Sequence, residues 1–135
     1  MIQRIQTVLL FIAFLLDGSV FFNAIYHHAM QDPRGWIGIG FAIILTLAAI
    51  GSLGTISLYN KRDKQVSWVG RLMIMQVIAL GYAVGIYISL GGFGRFLWDE
   101  TIGLGLLLLA LVMQIYARKK IKDDIELVKS MDRIR

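Results

Sequence analysis

The one residue whose type and position invite chemistry is Asp17. It sits inside an uninterrupted apolar run, about twelve residues or roughly 18 Å from the run's start, which is near the midplane of a hydrocarbon core about 30 Å thick. A carboxylate at that depth costs about 2.5–3.5 kcal/mol on insertion scales, so it must face a bundle interior, another subunit or water. Depth counting places Thr46 and Tyr82 at a similar level, each with a hydroxyl able to donate to the carboxylate. Gln76 falls somewhat nearer the basic side. Three roles stay open: a proton- or ion-handling group, a hydrogen-bonded helix lock, and a contact to a missing subunit. A proton relay normally needs a chain of titratable groups, and the apolar core holds one.

His27, His28 and Asp32 form the second polar cluster. Adjacent histidines on a helix point about 100° apart and do not easily share one ion. No further histidine completes a ligand set, so a polar loop cap is expected and no metal site. With no cysteine in the chain, disulfides, Fe–S ligation and thiol catalysis are ruled out. No buried histidine is available to activate Ser52, Ser57 or Ser89, and no zinc-protease helix, P-loop or dinucleotide fingerprint occurs. Gly91 to Gly94 carry no following Lys-Ser/Thr. The expectation is a protein with no catalytic residue and no cofactor.

What must position Asp17 is a set of four apolar stretches, roughly Ile5–Tyr26, Trp36–Tyr59, Trp68–Leu90 and Trp98–Tyr116. Each is long enough to cross a bilayer at about 1.5 Å per residue. Of 135 residues 57% are hydrophobic, only 17% are charged, and mean hydropathy is +0.67, which leaves no room for a soluble domain. The expected fold is all-α: a polytopic membrane protein with four transmembrane helices (residues 1–116) and a C-terminal cytoplasmic amphipathic helix (residues 117–135). The first run reaches spanning length, and Tyr26-His27-His28-Ala29-Met30-Gln31 offers no convincing signal-peptidase site, so it is expected to be retained.

Charge orients these segments. Of the 14 Lys and Arg, all but Arg34 and Arg95 fall at Arg4, in the second loop with Arg71, or from Arg118 onward. The positive-inside rule puts that side, and both termini, in the cytoplasm. Trp36, Trp98, Phe93, Phe96 and Tyr26 mark one interface, and Tyr59, Trp68 and Tyr116 the other. The net charge of +5 then belongs to a surface facing anionic lipid head groups rather than nucleic acid, each Lys or Arg adding about 1 kcal/mol. Its principal cations are Arg4, Lys61, Arg62, Lys64, Arg118, Lys119, Lys120 and Lys122.

Small residues recur at four-residue spacing: Gly81, Gly85 and Ser89 on the third helix, and Gly38 with Ala42 on the second. Ala48 with Ser52 and Gly51 with Thr55 continue the theme. Such faces let backbones approach closely, either within one bundle or against another protein. In the tail, Ile121, Ile125, Val128 and Met131 form an apolar stripe beside i,i+4 pairs such as Lys119–Asp123 and Lys122–Glu126. The tail is either a solvated extension or a helix that lies on the membrane or on a partner.

Two stretches carry a resemblance. The opening Met1-Ile2-Gln3-Arg4-Ile5-Gln6-Thr7-Val8 and the basic-acidic run from Ala117 to Arg135 resemble the ends of a family of small four-pass bacterial membrane proteins catalogued only as a domain of unknown function. The resemblance implies a bacterial inner-membrane protein and brings no activity or catalytic residue. The resemblance implies an essentially apolar first helix, so Asp17 looks like a departure, which weakens the case for a family-wide function resting on it. Arg4 is expected to meet Asp123, Asp124 or Glu126, completing a cytoplasmic surface with the 60–65 loop. The leading expectation is an accessory, scaffold or assembly subunit, in contact with a membrane-protein partner or with copies of itself. The alternative is a small proton- or ion-linked transporter or channel component built on Asp17.

Overall fold

A computed structural model describes residues 2–92 and 97–135, with side chains from residue 5 onward. Five helices and no strand occur among the described residues: α1 (Ile2–Val20), α2 (Ala24–Met30), α3 (Trp36–Ile56), α4 (Arg62–Ser89) and α5 (Trp98–Ile134). Phe93, Gly94, Arg95 and Phe96, and the side chain of Arg4, lie outside the described residues. The expected Arg4 contact and part of the expected aromatic belt therefore fall there.

Three helices, α3, α4 and α5, are long and apolar enough to cross a membrane. The first apolar run is not the single helix expected to Tyr26. It breaks after Val20, and α2 leaves at 54° to α1. The cause is Asn23, which adopts an extended backbone and accepts the Ile25 N–H at 3.0 Å, capping a new helix inside the run. Its Nδ2 donates 2.8 Å to the Asp99 carbonyl, tying the break to the start of α5.

One further boundary differs from expectation. Arg62, Asp63, Lys64 and Gln65 form the first turn of α4 rather than a loop, with Asp63 suitably placed at the positive end of the helix dipole. At the other end, α5 continues without a break to Ile134. Glycine is required at two junctions. Gly35 (φ 69°) precedes α3, and Gly91 (φ 79°) follows the end of α4 as a left-handed stop.

The long helices pack as a ring: α1 lies against α3 and α5, and α4 lies against the same two, so α1 and α4 face each other across the diagonal. The ring obeys one rule. On α1 the buried residues are Gln6, Leu10, Ala13, Asp17 and Val20, alternating steps of four and three. Every buried residue of α4 from Gln65 to Ile86, and of α5 from Glu100 to Asp124, keeps the same alternation. On α3 the series from Gly38 to Thr55 does so as well, with Ala49 in addition. A 3.5-residue repeat is the signature of knobs-into-holes packing in left-handed bundles. Large apolar side chains such as Phe11, Ile43, Ile74 and Leu108 point away from that seam.

Candidate functional site

The seam positions hold nearly all of the buried polar groups, which makes the bundle axis the candidate site. At its centre Asp17 is fully buried. Gln76, from the diagonally opposed α4, donates Nε2 to Asp17 Oδ1 at 2.8 Å and to the Leu107 carbonyl of α5 at 3.2 Å. Gln114 of α5 donates Nε2 to Gln76 Oε1 at 3.3 Å. One carboxyl and two carboxamides thus join three helices. Asp17 Oδ2 and Gln114 Oε1 are buried without a hydrogen-bond donor among the described residues.

A second polar tier lies toward the α1 start. Gln6 and Gln65 stand eleven residues before Asp17 and Gln76, about three helical turns or roughly 16 Å along parallel helices. Gln65 Nε2 donates to the Thr55 carbonyl at 3.2 Å, while Ser52 and Thr55 turn their hydroxyls back onto α3. Leu10, Val69 and Ala117 form part of an apolar cluster on the same seams. At the far end, His28 Nε2 lies 3.1 Å from Glu100 Oε1. His27 is exposed and edges against Tyr26. The two histidines therefore diverge, and no group of three His, Cys, Asp or Glu able to hold a metal occurs among the described residues.

Of the expected partners of Asp17, the structure brings in Gln76 and not the hydroxyls. Thr46 is exposed and donates to the Ala42 carbonyl one turn back at 2.7 Å. Tyr82 packs its ring against Phe41, with its hydroxyl beside Gly40. Depth fixes a residue's level but not its facing, and only Gln76 falls on the buried α4 series. Gln114, Gln6 and Gln65 are buried on the same seams, outside the reach of the depth argument. The 3.5-residue repeat that holds them was the signal available.

The small residues divide into two sets. Gly38 is buried beneath α2, where an added Cβ would stand 2.5 Å from the Ala29 carbonyl oxygen, and Ala42 is half-buried on the same helix. Gly81 and Gly85 are open: a Cβ at either meets nothing within 4 Å. They and Ser89 line a groove of about 930 Å³ between α4 and the α2–α3 corner, with Trp36, Ile37 and Asp32 on its other wall.

The family model described as "Domain of unknown function (DUF4293)" matches residues 2–134. The chain belongs to this family. No curated protein and no solved structure matches it. The resemblance carried by the two ends thus extends over nearly the whole DUF4293 chain.

The cations of this DUF4293 protein gather at the end of the bundle where α4 begins. Lys61 and Lys64 are exposed, and Arg62 Nε lies 3.2 Å from Asp124 Oδ2, pinning α5 to the start of α4. Lys119, Lys120 and Lys122 are exposed, while Arg118 lies half-buried beside Gly70. Arg71 stacks over Trp68 with 5.0 Å to the ring centroid, a cation–π contact suited to an interface.

Proposed function

We propose that this DUF4293 protein is a non-enzymatic accessory or scaffold subunit of a larger complex in the bacterial inner membrane. The bent α1–α2 pair counts as one span, making four, and both termini lie in the cytoplasm with twelve of the 14 cations. The observation that carries the reading is the open Gly81–Gly85–Ser89 face. Small-residue faces gain their energy by bringing helix backbones together, and the described residues leave this one unfilled. A transmembrane helix of a partner fits that use, with anionic head groups engaging the basic end.

The test is a native pull-down of the tagged protein in mild detergent, with mass spectrometry and native mass determination. The reading expects a reproducible larger partner that is lost on Gly81→Leu or Gly85→Leu. A homogeneous self-assembly that survives those substitutions would overturn it.

A second reading, a proton- or ion-linked transport component, draws on the buried Asp17 Oδ2, which has no donor among the described residues. It is separated from the first by Asp17→Asn, which a scaffold tolerates and a proton-handling carboxyl does not. Proton flux in reconstituted vesicles is the measurement, and flux that depends on Asp17 would favour this second role.

A further inference from the structure

The α5 seam does not stop where the bundle does. Its buried series ends with Ala117, Ile121 and Asp124, and the next two positions in the same four–three alternation are Val128 and Met131. Both are apolar, yet Val128 is 42% and Met131 61% exposed. On α3 or α4 such exposure meets lipid and needs no other explanation. On the four-span reading, with Tyr116 at the interface, lipid does not reach this part of α5. Val128 and Met131 lie about 18 and 22 Å along an unbroken helix from Tyr116, whereas the head-group zone is about 5–7 Å thick. On that placement the tail projects from the membrane rather than lying in its plane.

Beside this overhang the start of α4 completes a groove of about 570 Å³, lined by Lys61, Asp63, Lys64, Ile125, Val128 and Lys129 among others. Its apolar floor is Val128 of the extended seam with Ile125 beside it, Met131 follows one turn beyond, and its walls carry three lysines against one aspartate, apart from the Arg62–Asp124 pair. We propose that this groove docks an acidic amphipathic helix of a partner protein, the partner's apolar face continuing the α5 seam and its carboxylates meeting Lys61, Lys64 and Lys129. Helix-in-groove recognition uses this division of labour, with apolar anchors for affinity and complementary charge for selection. A second copy of this chain would bring the same lysines against their like. The proposal rests on the accessory-subunit reading and adds the chemistry of the partner.

The experiment uses the full chain in neutral phosphatidylcholine nanodiscs and, as probe, a fluorescent synthetic helix of about three heptads with Leu at the seam and Glu beside it. The expected result is saturable binding, absent from empty nanodiscs. Affinity should fall at least about tenfold when Lys replaces Glu in the probe, and likewise for the Val128→Asp, Met131→Asp double variant and for Lys61→Glu with Lys129→Glu. Equal binding of both probes, or binding indifferent to Val128 and Met131, overturns the proposal. So does displacement of the probe by phosphatidylglycerol in the nanodisc, which assigns the groove to lipid. Two copies per disc that separate on Met131→Lys assign it to self-association. A pull-down partner that is lost on Gly85→Leu but retained by the Val128→Asp, Met131→Asp variant would leave the subunit reading standing and sink this one alone.

Discussion

Asp17 and Gln76 meet across the diagonal of the bundle, 2.8 Å apart, although the helices that carry them are not neighbours in the ring. The bond spans the axis because the residues around it are small. Ala13, Ala79 and Ala110 occupy adjoining seam positions on three of the helices and let them close on the two polar side chains.

That geometry makes the pair a cross-brace. Gln76→Leu removes the donor to Asp17 and to the Leu107 carbonyl, and stranding buried acceptors costs about 1–3 kcal/mol. Asp17→Leu with Gln76→Leu removes both sides of the main bond, so the double variant should be more stable than the sum of the singles. The coupling should be about 0.6 kcal/mol and no more than about 1.7 kcal/mol, the average and maximum for hydrogen bonds between membrane helices. Unfolding in mixed micelles read by circular dichroism gives all four stabilities. Strict additivity would show that the pair is not coupled.

Gly38 and Gly85 are both helical glycines, and alanine should affect them oppositely. At Gly38 the new methyl meets the Ala29 backbone, which cannot rotate away, so Gly38→Ala should cost about 1–3 kcal/mol as overpacking. At Gly85 it meets nothing within 4 Å, so Gly85→Ala should be neutral or gain up to about 1 kcal/mol of helix propensity in the isolated protein. Thermal unfolding of the two purified variants makes the comparison. A larger loss at Gly85 would contradict the open groove.

Much of this architecture was legible in the sequence, and the reasons are specific. Hydropathy located the apolar runs because the lipid-facing residues, such as Ile74 and Leu108, are as apolar as a span requires. The same property hid the facing of each helix. In a soluble bundle the apolar stripe marks the core, whereas here both sides are apolar and the core is marked by small and polar residues. Gln6, Gln65, Gln76 and Gln114 look like scattered polar residues unless their 3.5-residue register is taken into account, and depth alone pairs Thr46 and Tyr82 with Asp17. Asn23 falls where the first helix is expected to end, but its capping role is hidden because a polar side chain inside a hydrophobic run looks like one more tolerated polar residue. The Ile121–Ile125 part of the tail stripe does pack inward, while Val128 and Met131 stay exposed.

The bend between α1 and α2 should depend on Asn23. Its side chain holds the Ile25 N–H and the Asp99 carbonyl at once, so Asn23→Ala removes a cap and a link to α5. Loss of an Asn cap costs about 1 kcal/mol. Amide exchange at Ile25 and in α2 should quicken while α4 keeps its protection. An unchanged α2 would mean that packing of Ile25 and Ala29 alone sets the bend.

The four-span reading, with both ends on one side, makes a demand that charge counting alone cannot meet. The native chain has no cysteine, so single-cysteine variants report position without background. Lys64→Cys and Lys129→Cys occupy exposed sites at the α4 start and on the α5 extension, and both should react with a membrane-impermeant maleimide only after the cytoplasmic face is opened. Arg34→Cys, in the turn between α2 and α3, should react from outside in intact cells whose outer membrane has been made permeable. The decisive comparison is Lys64 with Arg34, because they bracket α3, the most apolar of the spans. Labelling of both from one side would remove α3 from the membrane and with it the alternation of loop charge on which the orientation rests. Opposite labelling of Lys64 and Lys129 would leave α3 in place but require that the α4–α5 pair not return across the bilayer.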